Sequence, residues 1–492
     1  MVKQAVTALL MVVGMAMAAE VQGWRTDGTG RYPKADPPTQ WSATQNVVWS
    51  TTLPSWGNAT PILVGKRIFV TSEPATLICL SAEDGNILWQ RSNTYFELEG
   101  VNRGDLEKAL SLQQDISRRE GKVNALQDAI NRTRQQAKAE TQPAKPPVTQ
   151  PNQPRPPAQA KRLSDTRPVE EVLVELTERE KALSAELARQ KAELEPPKKE
   201  LAPLAKWLPP STHEVNGFAT PTPASDGKSV YALFGNGVAA CYDLDGNRRW
   251  IRLIEKSPEG YGHAASPLLI GDVLVVHIAD AVGLDVATGK EKWRTKSQCR
   301  FGSPVSALIG EMDVAVTAGG DILRAADGNR IAGPVHSLEY NAPIVDGDRA
   351  YWIENGGKAC RIPTTVPARG SFRPLWVTQP SKERYYASPV LVDGLIYAIQ
   401  QQGVLSVIDA ADGNVIYEKR LSLGGGTVYP SITAAGKYVY VSSDNGTTLV
   451  LEPGRAYKEI ARNKLDPFRA CPVFDGTRMY IRGIKKLYCI SR

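Results

Sequence analysis

The chain has 492 residues, 42% of them hydrophobic and 23% charged, with a formal net charge of +7. That length suits two or three average domains, or one large repeat-built domain carrying an insertion. Acids and bases are mixed along its whole length and no Lys/Arg cluster stands out, which excludes a phosphate-tracking surface and a nucleic-acid partner.

The chain opens with the pattern of a secretory signal. Lys3 supplies the positive start, residues 5–18 form a short apolar run, and Ala16-Met17-Ala18 offers small residues for cleavage near Ala18 or Ala19. A membrane anchor needs about 20 apolar residues, more than this run contains, and no cysteine follows it to accept a lipid. The expectation is a signal peptide over 1–19 and a periplasmic or secreted protein with no transmembrane anchor after cleavage.

Residues 46–53, with Trp49, read as a strand that has no hairpin partner beside it. A repeat then starts at Pro61: a small residue, Pro, a few apolar residues, a Gly-containing turn and an apolar-aromatic run. It returns at Pro223, Pro267, Pro304, Pro343, Pro389, Pro430 and Pro472, with spacings of 44, 37, 39, 46, 41 and 42 residues from Pro223 onward. Only the first gap, 162 residues, breaks the series.

That gap holds residues 97–205, rich in Glu, Lys, Arg, Gln and Ala. Leu106, Leu110, Ile116, Val123, Leu126 and Ile130 keep helical spacing, and Val169, Leu173, Leu176, Leu183, Leu187 and Leu194 form a heptad-like stripe. The prolines of 142–157 forbid helix between them. The expectation is an antiparallel coiled-coil hairpin with a Pro-rich tip, and Pro196-Pro197 and Pro209-Pro210 marking the return. Its place between the first two repeats would set it beside the inter-repeat loops, as a partner-binding arm, a lid or a solvated spacer.

Each later repeat carries four strand signals. In the one at Pro389, residues 389–392, 395–399, 404–409 and 415–421 are separated by Asp393-Gly394, a further turn and Asp412-Gly413. Asp-Gly between alternating apolar runs is a strong hairpin signal, and four short antiparallel strands per repeat make a propeller blade. Trp89, Trp250, Trp293 and Tyr417 mark the outermost strand. The last repeat ends after three strands, so residues 46–53 are expected to complete it. The fold expected is therefore all-β, an eight-bladed β-propeller closed by the N-terminal strand, with an inserted α-helical hairpin. The domains run 1–19 (signal), 20–96 (closing strand and first blade), 97–205 (hairpin) and 206–492 (blades two to eight). Cys79, Cys241, Cys360 and Cys489 fall at one place on the third strand of their repeats. Equivalent positions on separate sheets do not pair, so these thiols are expected to fill core slots.

The segment Leu284-Asp285-Val286-Ala287-Thr288-Gly289-Lys290-Glu291-Lys292-Trp293 resembles the Ala-x-Asp-x-x-x-Gly-x-x-x-Trp docking motif of the pyrroloquinoline-quinone (PQQ) repeat family, with looser copies at 82–89, 243–250 and 409–417. The resemblance covers residues 46–95 and 215–492. It implies a PQQ-like propeller. The quinone dehydrogenases of that family use an adjacent cysteine pair and a calcium held by Glu, Asn and Asp near a catalytic Asp. This sequence has no Cys-Cys pair and no identifiable calcium segment. It looks closer to the non-enzymatic branch, which includes the outer-membrane assembly lipoproteins, though the lipidated cysteine is missing.

The residues before each first strand should ring the channel mouth: Trp56, Asn58, Asn216, Phe218, Tyr261, His263, Arg300, Phe301, Tyr340, Asn341, Arg384, Tyr385, Tyr429, Phe468 and Arg469. Aromatic, amide and guanidinium groups converging on a concavity suit a sugar or a peptide segment. His213, His263, His277 and His336 lack metal-ligand spacing, and no catalytic residue, cofactor site or metal site is assigned. The reading is a non-catalytic binding or scaffold protein with a protein or polysaccharide partner in the cell envelope. The alternatives are a divergent quinone-dependent dehydrogenase and a carbohydrate-active propeller, so enzymatic activity stays open.

Overall fold

The computed structural model describes residues 23–141, 167–298, 300–362 and 373–492. The expected signal peptide, Cys299 and the Pro-rich tip lie outside the described residues. The chain divides into two compact units, one of them Gly100–Leu208 and the other formed by the chain on either side of it.

The larger unit consists of eight separate sheets among the described residues. They span residues 62–92, 224–253, 268–295, 305–332, 344–378, 390–420, 433–464 and 473–490, and are numbered sheet 1 to sheet 8 in that order. Each chain segment of sheets 1 to 7 supplies four antiparallel strands. Sheet 8 takes three strands from its own segment, and its fourth is Val47–Thr52, which pairs antiparallel with Lys486–Ile490 in the register Trp49↔Cys489. Radially repeated four-stranded sheets of this kind belong to the β-propeller architecture.

Neighbouring sheets are joined by the outermost-strand tryptophans. Trp89 donates its indole N–H to Leu244 O at 3.0 Å, Trp250 to Val286 O at 2.9 Å, Trp293 to Ala325 O at 2.8 Å and Trp376 to Ala410 O at 3.1 Å. Each ring lies on a turn glycine of the following sheet. Gly289 shows why the motif demands glycine: its φ is +68°, and a Cβ there would sit 2.5 Å from the Trp250 ring. On the third strand the register partners of these rings are small, Cys79 for Trp89, Cys241 for Trp250 and Gly283 for Trp293. Cys79, Cys241 and Cys489 are therefore core fillers opposite an indole, Cys360 faces Pro374 instead, and all four are buried and free.

Trp49 repeats the arrangement between sheet 8 and sheet 1, lying on Gly85. Its N–H has no partner, and the matching carbonyl, Ala82 O, accepts from Arg478 at 2.7 Å. Thr51 Oγ1 adds a bond to Gly85 O at 2.7 Å. Arg482, fully buried and with its pKa pushed down to about 9 by that burial, donates to Gly57 O at 2.5 Å and Thr71 O at 3.0 Å. An apolar cluster of Ile68, Val70, Ile78 and Leu80 with Tyr480, Leu487 and Cys489 fills the space between sheets 8 and 1.

Before Val47 the chain makes an inner excursion that its sequence does not announce. Arg31–Tyr32 pairs in parallel with Thr433–Ala435, the first strand of sheet 7. Upstream, Gly23 and Thr26 bond each other's backbone, and Arg25 and Thr26 take φ of +52° and +68°, uncommon for residues with a Cβ. Arg25 is 2% exposed and donates to Pro389 O at 2.9 Å and Ile432 O at 2.6 Å, the residues immediately before the first strands of sheets 6 and 7. Gly28 lies against Val305 of sheet 4 and Gly23 against Ala224 of sheet 2. One short segment thus touches four sheets at or just before their innermost strands.

The smaller unit is a helical hairpin. Helices α1, Arg103–Thr141, and α2, Val169–Leu201, run antiparallel, as the ion pairs Lys108–Glu200, Lys198–Glu120 and Arg134–Glu180 at 2.7–2.8 Å require. Leu106, Ala109, Ile116 and Ile130 of α1 and Leu187 and Leu194 of α2 are buried. Pro196-Pro197 does not end α2 as the sequence suggests. The helix continues to Leu201, where the pairs made by Lys198 and Glu200 hold the turn beyond the prolines.

Candidate functional site

The residue before each repeat proline sits at the innermost strand's start, and the X-Pro linkage keeps its backbone extended. Five of these eight residues are Ser or Thr, namely Thr60, Thr222, Ser266, Ser303 and Ser388, and a sixth small hydroxyl comes from Ser431, which follows Pro430 and precedes Ile432. They are bonded in succession. The amide of Thr60 donates to Thr222 Oγ1 at 3.2 Å, that of Thr222 to Ser266 Oγ at 3.0 Å, and that of Ser266 to Ser303 Oγ at 2.9 Å. The series resumes with Ala342 N to Ser388 Oγ and Ser388 N to Ser431 Oγ, both at 3.0 Å, and with Cys471 N to Thr60 Oγ1 at 3.1 Å. It lapses only where the next residue is Ala342 or Cys471, which offer no hydroxyl. The Ser or Thr that recurs before most of the prolines, with Ser431 just after Pro430, is thus a link in a series of inter-sheet hydrogen bonds.

This band lines a cavity of about 600 Å³. Trp24, from the N-terminal excursion, also lines it. Its upper wall is aromatic on one side. Phe301 and Tyr340 stack with centroids 5.8 Å apart, Tyr340 meets Tyr386 edge-on at 4.9 Å, and Tyr386 stacks on Tyr429 at 4.9 Å and 10°. The Arg469 guanidinium lies 5.3 Å from the Tyr429 centroid and donates to Val215 O at 3.0 Å. Asn58, Asn216 and the His213–Tyr261 pair, with centroids 4.9 Å apart, form the other side.

Of the residues expected at the mouth, Asn58, Tyr261, Arg300, Tyr340, Arg384 and Arg469 line this cavity, with Asn216, Phe301 and Tyr429. The others do not. Tyr385 is fully buried and donates to Ser381 O at 2.6 Å, while its neighbour Tyr386 faces the cavity. His263 is 1% exposed, with Nε2 at 2.8 Å from Ala265 O, and burial pushes its pKa down to about 4. Phe468 belongs to the core between sheets 7 and 8. Asn341 is buried, donating to Ile353 O and Tyr385 O. Trp56 and Phe218 are half-buried beside Glu73 and Gly217 and do not line the cavity.

Two buried carboxyl groups hold the loops in place. Glu73 accepts from the amides of Phe218 and Ala219 at 2.6 Å each, and Glu354 accepts from the amide of Glu339 at 2.6 Å. Burial pushes both up to about 7. Glu354 lines a second cavity of about 620 Å³ that shares Arg300, Glu339, Tyr340 and Arg384 with the first. The carboxylates lining the first cavity are Glu259 and Glu339, and Glu339 is paired with Arg300 at 2.7 Å.

A family model described as outer membrane protein assembly factor BamB matches residues 39–139, 212–357 and 280–464, well over half of the chain. The chain belongs to this PQQ-like family. Among solved structures it is similar to BamB from Moraxella catarrhalis, at 16% identity over 55% of this chain and 83% of that one, with a TM-score of 0.45. It is also similar to a europium-containing methanol dehydrogenase, at 10% identity over 92% of this chain and 96% of that one, with a TM-score of 0.52. The quinohemoprotein alcohol dehydrogenase ADHIIG from Pseudomonas putida HK5 matches at 12% identity over 96% and 80%, with a TM-score of 0.50. No curated protein matches the chain. At such identities the two dehydrogenases share the fold of this PQQ-like propeller and nothing finer.

The quinone and calcium that the dehydrogenases of the family use are a poor fit to this cavity. The aromatic wall would accept a flat ring. A hard cation, however, requires several convergent oxygen ligands. Among the described residues no three His, Cys, Asp or Glu side chains are grouped to hold a metal ion, and Glu339 is committed to Arg300.

Proposed function

We propose that this PQQ-like propeller is an exported, non-catalytic binding protein of the cell envelope. Its eight sheets form one ring closed by residues 47–52, and the cavity of about 600 Å³ receives the ligand. The carrying observation is the cavity's lining of ring faces, amides and hydroxyls around Glu259 and an already paired Glu339. Such a surface binds and orients; acid–base catalysis needs a free titrating group poised over the substrate. Circular closure is supported by the bonds that Cys471, Thr51, Arg478 and Arg482 make to sheet 1. Export is supported by the signal-like residues 3–18, and no helix among the described residues is long and apolar enough to cross a membrane. A protein or polysaccharide partner follows from that location. The family's description as an assembly factor favours a protein, with the helical hairpin as its arm.

The test immobilises the purified mature chain and passes an envelope extract over three forms: wild type, Tyr386→Ala/Tyr429→Ala, and a form with residues 100–208 replaced by a short Gly/Ser linker. A retained partner that depends on the rings or on the hairpin, with melting of the propeller unchanged, supports the reading. Alcohol-dependent dye reduction on adding quinone and calcium overturns it.

A further inference from the structure

The hydroxyl band has a consequence for what the cavity takes. In each of its six bonded members the oxygen already accepts an amide from the neighbouring sheet. A hydroxyl has one proton to give besides its lone pairs, and among the described residues none of the six has a protein acceptor for that proton. All six are at most 8% exposed and all line the cavity. This twice-interrupted series of inter-sheet bonds thus leaves six O–H donors along the cavity wall without a protein acceptor.

Positive charge brackets this donor band. On its far side the Arg25 guanidinium donates to Pro389 O and Ile432 O, the carbonyls directly following Ser388 and Ser431, and to no carboxylate. At the rim Arg384 meets Tyr386 Oη at 3.4 Å, and Arg469 bonds only a carbonyl. Neither makes an ion pair among the described residues, in contrast to Arg300, which is held by Glu339. The stacked Tyr386–Tyr429 pair lies between the two guanidinium groups.

Resting on the binding reading above, we infer that the cavity takes an acidic oligosaccharide: sugar rings carrying carboxylates, with ring and hydroxyl oxygens accepting from the six-membered donor band, C–H groups packed along the aromatic wall that holds Tyr386 and Tyr429, and carboxylates at Arg384 and Arg469. A cyclic polyol presents acceptors in many directions, as the band presents donors along the cavity wall. An extended peptide presents them along one line. Cavity-lining donors beside uncompensated guanidinium groups favour oxygen-rich anions over neutral or cationic ligands.

The test is titration calorimetry on the full mature chain at low salt, with a uronic-acid oligomer, its neutral hexose counterpart, hexaglutamate, and sodium acetate with inorganic phosphate as bare oxyanions. The uronate oligomer is expected to bind at least about tenfold more tightly than each of the others, the yield of one charge-assisted contact. Arg384→Gln should weaken it about tenfold, whereas Arg455→Gln, whose ion pair with Asp409 lies away from the cavity, should not. Ser431→Cys copies what Cys471 already is at the same repeat position, so it keeps the fold while weakening the donor, and should cost several-fold in affinity. Equal binding of the neutral oligomer, equal binding of hexaglutamate, or no binding of the uronate oligomer overturns the inference. Capture of a hairpin-dependent partner would survive any of these results, so the binding reading falls separately.

Discussion

The backbone amide of Cys471 donates to Thr60 Oγ1 at 3.1 Å, joining residues 411 positions apart in the chain. Both are at most 4% exposed at the cavity wall, so only a water held in the cavity could stand in for a lost acceptor. Thr60→Val keeps the shape and leaves the Cys471 N–H unsatisfied, a loss of about 1–3 kcal/mol. Thr60→Ser keeps the oxygen and should cost less than ~1 kcal/mol. Urea unfolding followed by tryptophan fluorescence measures the difference between the two.

Two turn glycines of sheet 3 separate backbone freedom from space. Gly271 has φ +56° and no heavy atom within 4 Å of its would-be Cβ, whereas Gly289 has φ +68° and the Trp250 ring at 2.5 Å. Gly271→Ala should destabilise by about 1 kcal/mol through backbone conformation alone. Gly289→Ala should cost about 2 kcal/mol more, because Trp250 is 5% exposed and bonded through its indole N–H. Thermal melts of the two variants provide the comparison.

Arg25 ties the N-terminal excursion to sheets 6 and 7. In Arg25→Met the segment should open locally while the sheets stay folded. Amide exchange at Gly28 and Gly30, whose N–H groups bond Trp24 O and Arg25 O, should rise by at least about tenfold.

Burial holds the His263 pKa down to about 4 from its ordinary 6.5, and lowers that of His277 as well. The folded state keeps His263 neutral, so the unfolded chain takes up the proton first as pH falls. Stability from this group is complete above pH 6.5 and declines as pH drops towards about 4, by about 3 kcal/mol in total. In His263→Gln the denaturation midpoint should vary less with pH across that window than in the wild type.

Much of the fold was legible because the repeat imposes the same local requirement many times. The prolines, the turn glycines, the outer-strand tryptophans and the third-strand cysteines each recur in register, and the orphan strand at residues 46–53 paired with the truncated last repeat. Trp376 escaped notice since residues 362–373 lengthen its repeat and displace it from the spacing of the others. The inner excursion at residues 23–32 was invisible for a different reason. It is held by one arginine reaching two carbonyls and by two residues in positive φ, and none of these leaves a periodic trace. At the mouth, naming Tyr385 instead of Tyr386 is a one-residue phase error in a loop, where no alternation fixes which neighbour turns inward. Most of the hydroxyl band was present as a small residue before a repeat proline, with Ser431 displaced to just after Pro430, but hydrogen bonding between sheets has no signature in one chain's spacing.

Ring closure is tested most directly by hydrogen–deuterium exchange of the peptides covering residues 46–53 and 485–491 in the intact protein. Pairing of Val47–Thr52 with Lys486–Ile490 predicts that both peptides exchange slowly and lose protection together as denaturant is raised. Rapid exchange of residues 46–53 beside a protected 485–491 would contradict it.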